Sequence, residues 1–226
     1  MQAIWMRRLE QRFIALGRGA AVLATAFCIL VTMSGSGMAA PEKGPKVYLL
    51  RGFMNVFSLG LDELSAKIER RGIRSEVYNH TSAARLANEI AGEYKSGKTR
   101  PVILIGHSAG AAAIVDLVGE LDRLGVPVAL AVTLDIASRP VAGGRVGTFL
   151  NLYASTGALT KGPGFRGNLV NMDMARNNSG VGHFSIDKVE QVHALILRYV
   201  FSAAGRGGGA PKRQPAQAAA PEAPRS

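Results

Sequence analysis

A serine, an aspartate, a histidine and two backbone N–H groups beside glycines stand where each could take part in nucleophilic chemistry. Ser108 is the centre of Gly106-His107-Ser108-Ala109-Gly110, which directly follows the apolar run Val102-Ile103-Leu104-Ile105. The run suits a strand covered on both faces, and the Gly-x-Ser-x-Gly pattern suits a sharp strand-to-helix turn that projects a hydroxyl into a cleft. Residues without side chains are needed beside such a turn because neighbouring segments approach it closely. With 27 glycines in the chain a chance match is easy, so the weight comes from context. Ile114, Leu117, Val118 and Leu121 continue from the turn at the spacing of one helix face.

A serine hydroxyl is a weak nucleophile until a base takes its proton. Of the 4 histidines, His193 falls inside a helical pattern and reads as a face or core residue. His107 belongs to the turn and reads as pointing away from Oγ, and His80 follows a strand and could line a pocket. His183, in Gly180-Val181-Gly182-His183-Phe184, lies on the loop between the last strand and the last helix and is the candidate base. A base of this kind needs a carboxylate, fixed at a strand end, to orient it and stabilise its cation. Asp135 closes Leu130-Ala131-Val132-Thr133-Leu134 and meets that description, while Asp173, at the end of the last strand, competes with it. Asp62, Asp116 and Asp122 fall in helices and read as solvated, and Asp187 with Glu190 reads as a helix-capping pair. For charge developing on a substrate oxygen, the candidate donors are the N–H of Phe53, in the loop Arg51-Gly52-Phe53, and that of Ala109 at the helix start.

The elements that must position these groups alternate strand and helix, the signature of a mostly parallel sheet covered on both faces. Strands are predicted over 46–50, 73–78, 102–105, 128–134, 148–153 and 168–172, about six in all. Helices are predicted over 60–70, with Leu61, Leu64 and Ile68 inward, and over 81–94, with Leu86, Ala87, Ile90 and Tyr94 in register. A third follows Ser108, and a fourth over 186–200 turns Val189, Val192, Ile196 and Tyr199 inward. In such sheets the ligand cleft lies beyond the carboxyl ends of the strands, where the candidate residues fall. Residues 136–147 and 156–167 are the only sizeable loops beyond strands, too little for a cap domain, so an open cleft is expected.

The two ends of the chain read as separate from this domain. Arg7, Arg8, Arg12 and Arg18 precede an apolar run over 20–33 and then small residues, the layout of a secretory signal cleaved after Ala39. An uncleaved anchor is the rival reading, but the run is shorter than the roughly 20 residues that span a bilayer. Cys28, the single cysteine, would leave with that segment. Disulfides, thiolate nucleophiles and cysteine metal sites are thereby excluded from the mature chain, and Phe27 argues against lipid attachment. Residues 205–226, rich in Gly, Pro and Ala with basic residues interspersed, read as a disordered tail. Residues 40–204 remain as one domain, large enough to bury a core. The net charge of +11 divides into +5 for residues 41–204 and +3 for each end. Diffuse charge without a basic run or interleaved aromatics disfavours nucleic acid as a partner, leaving weak contact of the tail with anionic envelope surfaces.

Residues 46–200 resemble the α/β-hydrolase superfamily, specifically its small lipase and thioesterase-like members. Gly106-His107-Ser108-Ala109-Gly110 is similar to the lipase elbow, Gly180-Val181-Gly182-His183 is similar to the loop that carries the family's histidine, and the order Ser, Asp, His is the family's. The resemblance implies a three-layer α/β-hydrolase-like sandwich and acyl transfer to water. In that transfer Ser108 attacks an ester or thioester carbonyl, His183 relays the proton, Asp135 holds the imidazole, and Phe53 and Ala109 bind the oxyanion. No metal or organic cofactor is implied. The chain departs from the family in two places. Arg51-Gly52 stands where many members have His-Gly, and Tyr153-Ala154-Ser155-Thr156-Gly157 has no carboxylate where many place the acid; the second supports Asp135, because some members carry the acid one strand earlier. The expected protein is an exported, periplasmic or secreted monomer acting on a small acyl ester or lipid, and export disfavours a coenzyme A thioester. A non-catalytic hydrolase-fold protein that binds a lipid or envelope partner is the alternative from another class.

Overall fold

The apolar runs over 47–50, 102–105 and 128–134 become strands covered from both sides, because the amphipathic segments between them have nowhere else to bury their apolar faces. The structure, a computed structural model, describes residues 43–53, 58–138, 141–176 and 180–205. The residues expected to form the export signal and the tail lie outside them, apart from Gly205. In chain order the elements are β1 (Gly44–Arg51), α1 (Gly60–Glu69), β2 (Arg74–Asn79), α2 (Ala83–Lys95), β3 (Thr99–His107) and α3 (Ala109–Arg123). There follow β4 (Val128–Leu134), β5 (Val141–Ala142), β6 (Arg145–Tyr153), β7 (Thr160–Lys161), β8 (Arg166–Asp173) and α4 (Glu190–Ala203).

Among the described residues, six strands form one sheet in the order β2-β1-β3-β4-β6-β8, every neighbouring pair parallel. Side-chain alternation splits the core into two layers. Tyr48, Leu50, Val102 and Leu104 point to the face covered by α2 and α3, where they meet Leu86, Ile90, Ile114 and Val118. Val47, Leu49, Ile103 and Ile105 point to the other face, covered by α1 and α4 through Leu61, Leu64, Val192 and Ile196. The fold is therefore a three-layer α/β sandwich. Truncating a fully buried residue such as Leu104 to alanine is expected to cost about 2–5 kcal/mol.

The chain winds from β1 outward to β2, then crosses back to place β3 on the other side of β1. Where the winding direction reverses, the connections leaving β1 and β3 diverge to opposite faces and open a crevice at the carboxyl ends of those strands. Gly52-Phe53 leaves β1 at that crevice and Ser108 leaves β3 there, so the topology delivers both to one spot.

Several boundaries differ from the pattern reading. The Asn79 side chain accepts the Thr81 N–H at 2.8 Å and caps a 3₁₀ turn, His80–Ser82, so α2 starts at Ala83. The last helix begins late for a related reason. Ile186–Lys188 is a 3₁₀ turn, and Val189, with ψ at 123°, breaks it from α4. Asp187 does not cap its own helix with Glu190: its buried Oδ2 accepts the N–H of Gly60 at 3.0 Å and so anchors the start of α1. Gly60 has no freedom there, since a Cβ would lie 1.9 Å from the Asp187 carbonyl oxygen. The stretches read as loops after β4 and β6 also contain β5 and β7, which pair in parallel as a separate two-stranded sheet. Two-residue strands are too short to show a period of two.

Candidate active site

Ser108 is placed by both of its neighbours in the sheet. Its N–H continues the ladder to the Leu134 carbonyl at 3.0 Å, and its backbone turns at φ 57°, ψ −120°. Glycine flanks the turn for steric reasons: a Cβ at Gly106 would lie 2.4 Å from the Gly110 carbonyl oxygen, and one at Gly110 would lie 2.0 Å from that of Leu50. Asp135 is held the same way one strand along, its N–H bonded to the Leu152 carbonyl at 2.8 Å. Ser108 and Asp135 (φ 39°) are the non-glycine residues with positive φ among the described residues. Such conformations cost about 1–3 kcal/mol each and persist where the surroundings impose them, often at functional sites.

The side chains of Ser108, His183 and Asp135 form one hydrogen-bonded line. His183 Nε2 lies 2.9 Å from Ser108 Oγ, and His183 Nδ1 lies 2.8 Å from Asp135 Oδ2. With Nδ1–H donating to the carboxylate, Nε2 carries a lone pair and accepts the serine proton. The burial is graded along the line, since Asp135 is fully buried whereas the His183 side chain keeps 26% of its surface. The edge of the Phe184 ring meets the His183 ring at 5.2 Å.

Asp135 is supported by the stretch that lacks a carboxylate. Its Oδ1 accepts the N–H groups of Ala154 at 2.9 Å, Ser155 at 2.8 Å and Thr156 at 3.2 Å, together with the Thr156 hydroxyl. Burial alone would raise the carboxyl pKa, but the Ala154 and Ser155 amides, the His183 ring and the Thr156 hydroxyl outweigh it and hold the group at about 2. Beneath this loop, Asn151 receives the Thr133 hydroxyl at 2.9 Å and donates to Asn171 Oδ1 at 2.9 Å and to the Gly157 carbonyl at 3.1 Å. The loop is thus tied to β4, β6 and β8 at once. Asp173 is used differently, its Oδ1 accepting the Ala175 and Arg176 N–H groups of its own exposed turn.

Of the two candidate oxyanion donors, one follows the serine in the chain and the other follows Gly52, which packs against it. Ala109 opens α3, so its N–H belongs to the first turn, where amides lack helical partners. Gly52 packs on the nucleophile, a Cβ there falling 3.0 Å from Ser108 Cβ. The Gly52 N–H is taken by Ser58 Oγ at 3.0 Å, whereas the next one, of Phe53, makes no hydrogen bond among the described residues. Phe53 and Phe184 are both two-thirds exposed, at 67% and 66%.

The other histidines lie elsewhere or act differently. His193 is buried, donating Nε2–H to the Asp187 carbonyl at 2.6 Å and accepting the Lys67 ammonium on Nδ1 at 3.0 Å. With Glu63 and Glu190 it forms a cluster of metal-ligand type, but the Lys67 ammonium already sits among the three groups, paired with both carboxylates. His80 begins the turn after β2 at the sheet edge, its buried Nδ1 without a partner among the described residues. His107 points away from Ser108 Oγ, yet it touches the site through Ser58 and the His183 carbonyl. Sequence reasoning missed the amides of Ala154, Ser155 and Thr156, because a backbone donor leaves no mark in the residue type.

The sheet order, the elbow on a strained serine and the acid–base line together resemble the α/β-hydrolase superfamily. No protein-family model matches the sequence, and no curated protein matches it. Among solved structures, the fold is similar to the type II thioesterase BorB of the borrelidin biosynthetic cluster, at 12% identity over 70% of this chain and 93% of that one, TM-score 0.47. It is also similar to Est1E from Butyrivibrio proteoclasticus, at 10% identity over 71% of this chain and 90% of that one, TM-score 0.46. A structure assigned to the alpha/beta hydrolase superfamily, from Xanthomonas campestris pv. campestris, is 15% identical over 71% of this chain and 96% of that one, TM-score 0.39. Likeness at this level concerns the fold, and the chemistry is argued from the side chains.

Proposed function

We propose that the protein is a serine hydrolase that cleaves carboxylic esters or thioesters through an acyl-enzyme. The observation that carries this reading is the line from Asp135 through His183 to Ser108, set on a strained turn at the crevice between β1 and β3. Ser108 Oγ attacks the carbonyl carbon as its proton passes to His183 Nε2. The tetrahedral oxygen receives the N–H groups of Ala109 and Phe53, which are fixed before the reaction and need not reorganise. Collapse expels the alcohol or thiol, which takes the proton from Nε2, and water repeats the sequence to release the acid. Asp135, ionised throughout, stabilises the imidazolium and fixes the tautomer.

The exposed ring of Phe53 belongs to a proposed donor residue and that of Phe184 to the residue after the proposed base, which favours an apolar acyl group beside the reacting carbonyl. The leader-like residues 1–39 support an exported setting, and with it an ester or lipid substrate in preference to a coenzyme A thioester. Hydrolysis of p-nitrophenyl esters of increasing acyl length tests the reading. A burst of about one equivalent of p-nitrophenol before steady turnover is expected of an acyl-enzyme. No hydrolysis of any ester above the rate of the Ser108→Ala variant would leave the chain a binding protein on a hydrolase fold.

A further inference from the structure

His107, the first variable residue of the elbow, has a side chain that the acid–base line does not use. It is 1% exposed, and both ring nitrogens are engaged. Nε2 lies 2.8 Å from the His183 carbonyl oxygen, which can only accept, so Nε2 carries the proton. Nδ1 is then an acceptor, 2.8 Å from Ser58 Oγ, and the same Oγ accepts the Gly52 N–H at 3.0 Å. The direction of every bond is fixed: Gly52 N–H to Ser58, Ser58 O–H to His107, His107 N–H to the His183 backbone. A second proton on the ring would leave the Ser58 hydroxyl hydrogen without its acceptor, and burial likewise lowers the His107 pKa.

This chain of bonds joins three segments that the sheet alone does not hold together. One end reaches the loop after β1, where Gly52 precedes the proposed Phe53 donor and packs on Ser108. The other end reaches the backbone of the proposed base, on a loop more than seventy residues away in sequence. The rings of His107 and His183 stand 5.3 Å apart. An apolar residue would fill the same space without the cost of burying a ring that needs two partners.

We propose that His107 is a positioning residue: its neutral imidazole, wedged behind the nucleophile, sets His183 and the Gly52-Phe53 loop at a common distance from Ser108. The inference rests on the hydrolase reading, because its consequence is the alignment of the base and one oxyanion donor. Misplacing such groups by about 1 Å costs on the order of 10²-fold in rate.

The test uses full-chain His107→Phe, His107→Gln and His107→Asn, with kcat and KM for p-nitrophenyl acetate, the rate of labelling by a fluorophosphonate, and the melting temperature. Glutamine can still donate to the His183 carbonyl from the place of Nε2, whereas asparagine can replace only the Nδ1 acceptor. The expected result is a kcat loss of about 10²-fold for His107→Phe with KM little changed, and recovery to within about tenfold for His107→Gln. His107→Asn should stay near His107→Phe, and labelling rates should follow kcat. Wild-type kcat in His107→Phe, whatever its melting temperature, or a glutamine no better than phenylalanine, overturns the proposal while leaving the hydrolase reading intact. Should the variants not fold, nitrogen NMR of the wild-type imidazole decides: a neutral ring protonated on Nε2 is expected, and a proton on Nδ1 overturns the proposal. A wild type that neither hydrolyses nor labels defeats the hydrolase reading, and this inference with it.

Discussion

The two ends of the sheet both hold buried polar groups, yet they are built to opposite purposes. Toward the amino ends of the strands, the Glu93 carboxylate accepts the Tyr48 hydroxyl at 2.6 Å, the Thr99 hydroxyl at 2.8 Å and the Lys46 ammonium at 3.3 Å. Lys46 also pairs with Glu76 at 3.2 Å and stands over the Tyr48 ring. Each group of this cluster that could react is consumed by a partner. At the carboxyl ends the line from Asp135 stops at Ser108 Oγ, the Phe53 N–H has no partner among the described residues, and the backbone is strained at both Ser108 and Asp135. Buried polarity is common to both ends, so it does not mark a site; unmatched donors, an unspent nucleophile and imposed strain do. An opening is no better a guide. A cavity of about 580 Å³ lies at the amino end, between Tyr94, Pro101, Pro127 and Gly147, away from the acid–base line.

This contrast can be broken by substitution at either end. The largest effect is expected for Ser108→Ala and His183→Ala, each lowering kcat for a short ester by roughly 10⁴-fold or more, with the double variant no worse because the two act as a unit. Additive losses in the double variant would contradict that. Asp135→Asn follows, at about 10²- to 10⁴-fold, since the imidazole loses its orienting charge but keeps its place. Asp173→Asn should stay within about twofold, because its carboxylate serves an exposed turn. Steady-state kinetics that exchanged the two aspartates would reassign the acid. Glu93→Gln, at the closed end, should leave kcat within about twofold but destabilise the fold by about 1–3 kcal/mol, read by denaturant unfolding, since Lys46 and Tyr48 lose a charged partner.

A smaller effect sharpens the comparison by pH. Burial would raise the Glu93 carboxyl pKa, but the Tyr48 and Thr99 hydroxyls and the Lys46 and Lys98 ammonium groups hold it at about 2, against an ordinary 4.5. A group whose folded value is depressed contributes stability above its unfolded value and loses it as pH falls through the folded one. The melting temperature of the wild type should therefore drop between pH 4.5 and about 2, the window set by that shift. The drop should be smaller in Glu93→Gln, and parallel curves for the two proteins would show that Glu93 contributes nothing to acid sensitivity.

How much of this could be read from residue types follows from what each feature is made of. The six main strands and the turn at Ser108 carry runs and glycines, and both are visible in one dimension. His183 and Asp135 could be singled out as loop and strand-end residues, but their meeting depends on β4 and β8 ending at the same edge of one parallel sheet, which only the fold supplies. Three of the four donors to Asp135 Oδ1 are backbone amides and could not be named at all. Their trace was a missing carboxylate in Tyr153-Ala154-Ser155-Thr156-Gly157. The elbow pattern turns His107 away from Oγ but says nothing of what lies behind it. β5 and β7 escaped because their pairing is long-range and two residues carry no pattern.

The central claim, that the carboxyl end alone holds an activated nucleophile, is tested most directly by fluorophosphonate labelling of the native protein followed by mass spectrometry of its peptides, since the probe reports serine activation without requiring the substrate. The account predicts a single phosphonylated site at Ser108, absent from His183→Ala and unchanged in Glu93→Gln. Label on another residue, or none on intact protein while a control serine hydrolase is labelled, would contradict it.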